Sequence, residues 1–197
     1  MVAANDLRVG PDGRARCGWV GDDDAYRRYH DEEWAHPLRG DRALFEKLSL
    51  EAFQSGLSWI TILKRREGFR AAFSGFEVDA VARFDDADVE RLLADTRIIR
   101  NRAKISATIA NARVLSAWLA AEPGALDALI WSHAPSARPA RLTTMTELPA
   151  ATPESVALAR ALKARGMRFV GPTTAYALMQ SAGLVDDHLT GCWRADD

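Results

Sequence analysis

The chain holds only two cysteines and four histidines, and the two cysteines each keep a histidine nearby. Cys17 and His30 lie thirteen residues apart inside "RCGWVGDDDAYRRYHDEEW", and His188 and Cys192 lie four apart in "DHLTGCW" near the other terminus. A separation of four lets two side chains face one site on a helix or in a tight turn. Two thiols and two imidazoles are a donor set suited to tetrahedral zinc. The spacing is not that of a zinc finger, so the halves meet only if folding brings the ends together. Two unrelated buried cysteines with incidental histidines, or a redox pair of Cys17 and Cys192, are the competing readings. Four protein ligands would leave no place for water, so such a metal would be structural. His36 and His133 have no comparable company.

A second constellation is "KARGMRFVGPTTAYALM". A helix ending at Gly166, a short apolar turn, and Gly171 then Pro172 opening the next helix predict two helices meeting across a tight hairpin. Free backbone N–H groups at the second helix's start suit a phosphate, with Arg165 and Arg168 adding charge. An ordinary helix connection is the plainer alternative. Glu51 falls three residues past Leu48 and seven past Leu44, at the rim of an apolar stripe, where a carboxylate is costly unless something meets it. A rim ion pair is its plainer reading.

Helical periodicity supplies the frame. Leu44, Phe45, Leu48 and Ala52 form one stripe from Asp41, with Gly56 ending it. A second helix is predicted from Ser58 toward Phe73 and Gly75, and a shorter one in "DADVERLLADT". "NRAKISATIANARVLSAWLAAE" is the longest and stops at Pro123 and Gly124. "ALDALIWSH", "PESVALARALKARG" and "TTAYALMQSAGL" follow, with a polar loop from Ala134 to about Pro149. Alternating strands and internal repeats are absent, which predicts an all-α protein.

The chain has 197 residues and a formal net charge of −1, with 26 Lys and Arg against 27 Asp and Glu. That balance excludes a nonspecific nucleic-acid coat, although it can conceal segregated patches. Basic residues gather at Lys64, Arg65, Arg66 and Arg70, at Arg97, Arg100, Arg102 and Lys104, and at Arg160, Lys163, Arg165 and Arg168. No uncharged run approaches the ~18 residues that would span a bilayer. The opening sixteen residues carry no apolar signal core and read as a flexible extension, so a reducing cytoplasm is the expected compartment.

The segments "RCGWVGDDDAYRRYHDEEW", "SLEAFQSGLSWITILKRREGFRAAF", "IIRNRAKISATIANA", "LKARGMRFVGPTTAYALMQSAGLVDDH" and the final "GC" closely resemble the bacterial 3-methyladenine DNA glycosylase I family. The likeness runs from Arg16 to Cys192. It implies a helix-hairpin-helix DNA glycosylase fold, with a helical core over 41–183 and a small zinc-binding lobe built from 16–40 and 184–197; residues 1–15 are left as the flexible extension. It implies one structural zinc per chain on Cys17, His30, His188 and Cys192. Double-stranded alkylated DNA is the implied partner, with no membrane and no organic cofactor, and a monomer suffices.

In that family the damaged nucleotide is rotated out of the duplex into an aromatic pocket. The resemblance places Tyr29 and Trp59 against the base, with Tyr26, Trp19 and Trp34 as supporting walls. Electron-rich ring faces suit a cationic methylated purine. Glu51 matches the carboxylate that reads the amino edge of adenine. Gly56 and Leu57 match the turn that approaches the lesion, Leu57 being suited to wedge between bases. Bifunctional relatives carry a lysine two residues after the second hairpin glycine; here Thr173 stands there, so the resemblance implies hydrolysis by water with no Schiff base. Asp186 and Asp187 are acidic neighbours of His188, with an orienting role as open as a catalytic one. Ala52 replaces a glycine found after the Glu in some relatives. A zinc-stabilised helical module that binds damaged DNA without cutting is the alternative function.

Overall fold

The structure is a computed structural model and describes residues 6–137 and 140–196. Ten α-helices stand among these residues: α1 (Asp24–Glu32), α2 (Asp41–Gln54), α3 (Trp59–Leu63), α4 (Arg66–Ala72), α5 (Val78–Ala82), α6 (Asp86–Ala94), α7 (Arg102–Ala121), α8 (Ala125–Trp131), α9 (Pro153–Ala164) and α10 (Pro172–Ser181). Their starts follow from side-chain capping. Asp23 accepts from the N–H groups of Ala25 and Tyr26, Asn101 from Lys104, and Thr152 exchanges bonds with Ser155 ahead of Pro153.

α2 is the central helix, packed against α3, α7, α8 and α10. Nine of its positions, from Leu44 through Phe53, are buried, among them Lys47 and Glu51. A helix covered on all sides carries no single polar face. This corrects the reading of Glu51 as a rim residue, because α3 and α10 close over the side that periodicity left to solvent. α7 packs on α5, and α9 pairs with α10 across the predicted hairpin.

Three further expectations are corrected. The helix predicted from Ser58 toward Phe73 is two helices, α3 and α4, broken at Lys64 and Arg65. The break lets Trp59, Ile62 and Leu63 face one part of the core while Phe69 and Phe73 reach another. α1 covers residues around His30 where periodicity predicted no helix. The predicted flexible extension is structured from residue 6: β1 (Leu7–Val9) pairs antiparallel with β2 (Ala15–Cys17), the one sheet among the described residues. Buried Asp6 explains this, since its carbonyl accepts from Gly18 and its carboxylate from the Met145 N–H. Residues 1–5 lie outside the described part, as do 138 and 139 of the polar loop.

One glycine fixes how the segment after α1 crosses α10. A Cβ at Gly183 would lie 2.5 Å from the His36 carbonyl carbon, and its φ is +75°. That close approach lets Ala35 and Leu38 donate to the carbonyls of Gln180 and Ala182, which sets Trp34 beside the end of α10.

Candidate active site and metal centre

A cavity of about 180 Å³ opens between α1, α2, α3 and α10. Six of its lining residues are Trp19, Tyr26, Tyr29, Trp34, Glu51 and Trp59, so every base-pocket residue named by the resemblance falls on one cavity. Tyr29 and Trp59 face each other with ring centroids 5.4 Å apart at 44°. Trp19 packs on Tyr26 at 4.9 Å and edge-on to Trp34 at 5.1 Å. Gln54, Ala177, Gln180, Ser181 and Leu148 complete the wall. These five were not read from the sequence. Gln54, three past Glu51 on α2, shares its face by helical spacing; Ser181, 130 positions away, had no local signal.

Glu51 is only 5% exposed. Its Oε1 accepts from Ser181 Oγ at 2.9 Å. Burial pushes its pKa up to about 7, against the Lys47 ammonium and the Ser181 hydroxyl, which pull it down. Burial and then the Glu51 charge raise both Tyr26, to about 12, and Tyr29, well above the usual phenol range. Both phenols therefore stay neutral donors while Glu51 titrates near neutrality. The buried indole N–H of Trp59 has no hydrogen-bond partner. A cavity walled by aromatic rings around one acceptor carboxylate suits a planar polar ring.

The two chain ends meet behind this pocket. The ligand atoms of Cys17, His30 and Cys192 lie within 4.8 Å of one another, all buried. Cys192 Sγ is 3.5 Å from His30 Nε2. The thiol of Cys17, donating to Cys192, drives Cys192 toward thiolate and is itself pushed up. His188 stands just outside the three, its ring 4.8 Å from that of His30 and perpendicular to it. Its Nε2 is buried without a partner. Each imidazole is turned by an aspartate: His30 Nδ1 lies 2.8 Å from Asp31 and His188 Nδ1 2.7 Å from Asp186. Against burial, which raises it, the hydrogen bonds from His188 hold Asp186 well below the usual carboxylate range. Both Nε2 atoms are thus left for the interior. Asp187 instead accepts from Tyr176 and Gln180 at 2.6 and 2.8 Å. It ties α10 to the segment before His188.

The turn after α2 carries Gly56, at φ +81°, and Leu57, 41% exposed. Gln54 and Trp59 flank it, so it forms the pocket's rim. Lys104, grouped by sequence with an exposed basic cluster, is instead buried, and its Nζ donates to the carbonyls of Phe53 and Ser55 at 2.9 and 2.6 Å. It caps the end of α2. Lys64, Arg66, Arg70, Arg97 and Arg102 are each paired with a carboxylate. Arg160, Lys163, Arg165 and Arg168 stay exposed around α9's end, Arg165 lying over the Trp118 ring at 4.2 Å.

Between α9 and α10 the chain turns at Gly166, φ +91°, and Phe169, φ +56° and 45% exposed. A phenylalanine in that region is strained unless its surroundings impose it. Buried Asn111 of α7 does so: its Oδ1 accepts from the Arg168 N–H at 2.7 Å and its Nδ2 donates to the Arg168 carbonyl at 3.0 Å. A Cβ at Gly171 would meet nothing within 4 Å, so the protein's own packing does not require the glycine there. Thr173 is exposed beside it. α10 starts at this hairpin and ends at the Gln180 and Ser181 of the pocket, so one helix of ten residues links them.

Known proteins share this fold. The chain is 48% identical over 182 residues to DNA-3-methyladenine glycosylase 1 of Escherichia coli strain K12, covering 90% of this chain and 95% of that protein. A crystal structure of a 3-methyladenine DNA glycosylase I superposes with a TM-score of 0.86 at 46% identity, covering 90% of this chain and 98% of that one. A structure of the Staphylococcus aureus 3-methyladenine DNA glycosylase I, concerned with 3-methyladenine recognition, gives a TM-score of 0.81 at 32% identity over 87% of this chain and 91% of that one. Residues 19–195 match the family described as methyladenine glycosylase, and the chain belongs to that family.

Proposed function

We propose that this protein is a monofunctional DNA glycosylase that excises N3-methyladenine from alkylated double-stranded DNA and leaves an abasic site for base excision repair. The buried carboxylate of Glu51 inside an aromatic cavity carries this reading, because Ser181 and Lys47 offset the cost of its burial only in part, as its raised pKa records, and a donor on a bound base would offset the rest. Glu51 accepts from the exocyclic amino edge of the everted base, held in place by Ser181. Tyr29 and Trp59, packed on each other, offer the base aromatic faces that favour its positive charge. Leu57 fills the stack left behind, and the hairpin from Gly166 to Gly171, with Arg165, Arg168 and Thr173, holds phosphate. The C1′–N9 bond breaks with its electron pair moving to the base, which leaves neutral. Water adds to C1′ and releases its proton to solvent. No lysine stands at Thr173, so no sugar–enzyme bond forms.

The four terminal donors fit a single zinc ion: two sulfur and two nitrogen atoms, one of them the orphaned Nε2 of His188. Zinc on Cys17, His30, His188 and Cys192 would be structural, holding the chain ends that carry Tyr29, Trp34 and Trp19. The same reading makes the protein a cytoplasmic monomer; among the described residues no helix is long and apolar enough to cross a membrane. The test is release of 3-methyladenine, identified chromatographically, from methylated duplex DNA. Glu51→Gln should lower the rate roughly 10- to 100-fold, the worth of a charge-assisted hydrogen bond. Tight binding of methylated duplex by the parent with no base released would leave the damage-binding module standing in its place.

A further inference from the structure

Lys47 is a buried cation that none of the steps above uses. It sits on α2 one turn before Glu51 and is 8% exposed. Its ammonium lies 5.0 Å from the Tyr29 ring centroid and 5.1 Å from that of Trp59, yet it does not line the cavity those rings enclose. It lines a small cavity of about 100 Å³ on the far side instead, with Glu33, Glu46, Arg66 and Arg70. The two rings therefore stand between an ammonium and the base pocket. The charged groups that act on it are Glu51 and Glu46 from α2, Glu33 after α1, and Arg66 from α4. Glu33 is already committed to Arg66 and Glu46 to Arg70. No ion pair ties Lys47 to any of them.

This placement opposes simple lesion binding. A ring face that already meets one cation is a poorer partner for a second on the opposite side. The base that enters is cationic, but the base that leaves is neutral, because the breaking C1′–N9 bond delivers its electron pair to the ring and the positive charge passes to the sugar. An ammonium fixed behind the rings raises the energy of the charged base and not of the departing neutral one. Only an interaction that differs between ground and transition states changes the rate.

We propose that Lys47 is an electrostatic positioning residue for glycosidic cleavage, acting through Tyr29 and Trp59 to disfavour positive charge on the bound base and so promote its departure. This rests on the glycosylase reading of the same pocket. A base stacked about 3.5–4 Å beyond the rings lies about 9 Å from the ammonium, where a unit charge at an effective dielectric of ~20 changes an equilibrium roughly twentyfold.

The test uses Lys47→Met, which keeps an unbranched apolar stem, and Lys47→Arg, which keeps the charge. Two ligands of nearly one shape report the field directly: neutral 3-methyladenine and the 3,9-dimethyladeninium cation, whose 9-methyl stands for the sugar carbon. In a Glu51→Gln background, where loss of the ammonium cannot protonate the pocket carboxylate, Lys47→Met should bind the cation about twentyfold tighter relative to the neutral base, and its single-turnover release of 3-methyladenine from methylated duplex should be about twentyfold slower. Lys47→Arg should restore both toward the parent. An unchanged ratio of cation to neutral affinity in Lys47→Met, with thermal unfolding close to the parent's, overturns the proposal. So does an altered ratio with an unchanged release rate. If the parent itself releases no base, the glycosylase reading fails; the ratio of ligand affinities still tests the field.

Discussion

Glu51 makes the fold less stable as it ionises, and the size of that effect is set by the pocket. Its pKa rises from the ordinary 4.5 to about 7 because burial opposes the charge. A folded-state pKa above the unfolded one means the native protein binds the proton more tightly. Stability then falls as pH rises from about 4.5 to about 7 and is flat above. At about 1.4 kcal/mol for each tenfold change in proton affinity, the whole effect is about 3 kcal/mol, of which about 2.5 falls between pH 5 and pH 8. Glu51→Gln keeps an acceptor for Ser181 but cannot ionise. Its unmatched amide N–H costs something, but equally at every pH, so the informative quantity is the difference between variant and parent. Urea unfolding at pH 5, 6, 7 and 8 should show the variant gaining about 2.5 kcal/mol on the parent across that range. In thermal unfolding this is roughly 5–10 °C for a chain of this size. Loss of metal at low pH affects both proteins and cancels. Base release by the parent should fall as pH drops below about 7, as the carboxylate is protonated. A stability difference that stays flat across the four pH values would refute the reasoning, because ionisation would then not be opposed by the pocket.

Lys104→Met should cost about 1–3 kcal/mol, since it strands the Phe53 and Ser55 carbonyls, and base release should fall further than the stability loss explains as the Leu57 turn loosens; urea unfolding and single-turnover release measure the two. Asn111→Leu should raise the KM for methylated duplex by about tenfold while leaving the affinity for free 3-methyladenine unchanged, because the hairpin and the pocket meet different parts of the ligand; equal loss of both would sink this division. Prolonged treatment with a strong zinc chelator should release about one zinc per chain and lower the unfolding temperature, with Trp fluorescence changing as Trp19 and Trp34 shift; a chain that carries no zinc and is indifferent to the chelator counts against the structural metal.

What the sequence revealed of this molecule was the part written in local chemistry. The long helix α7 and the hairpin with Gly166 and Pro172 follow from spacing and capping residues, whereas the set of Cys17, His30, His188 and Cys192 was implied by the family resemblance, spacing alone having left unrelated cysteines open. The break between α3 and α4 did not, because the choice between one helix and two depends on where Trp59 and Phe69 must point in the finished core. Lys104 was misplaced for a related reason. Its composition is that of a basic cluster, and only the end of α2, fifty residues earlier, turns it inward. Lys47 escaped because periodicity describes a helix with one buried face, whereas α2 is enclosed from every side. The strand pair at residues 7–17 was hidden by its Gly and Pro content and is held by contacts with the segment around Met145.

The pocket and the terminal donor cluster are one packed unit, although they are far apart in sequence. Tyr29 and His30 are neighbours on α1, one facing the cavity and the other the sulfur atoms. Trp34 lies 4.6 Å from the His188 ring and 5.1 Å from Trp19, and Trp19 lies 5.3 Å from the His30 ring. The pocket's outer wall is therefore stacked on the imidazoles themselves, with no intervening layer to absorb movement. Close-packed interiors transmit such displacements. The segment carrying His188 and Cys192 follows directly from α10, whose Ser181 holds Glu51, so the Glu51 carboxylate and the aromatic walls are registered to each other through the chain ends.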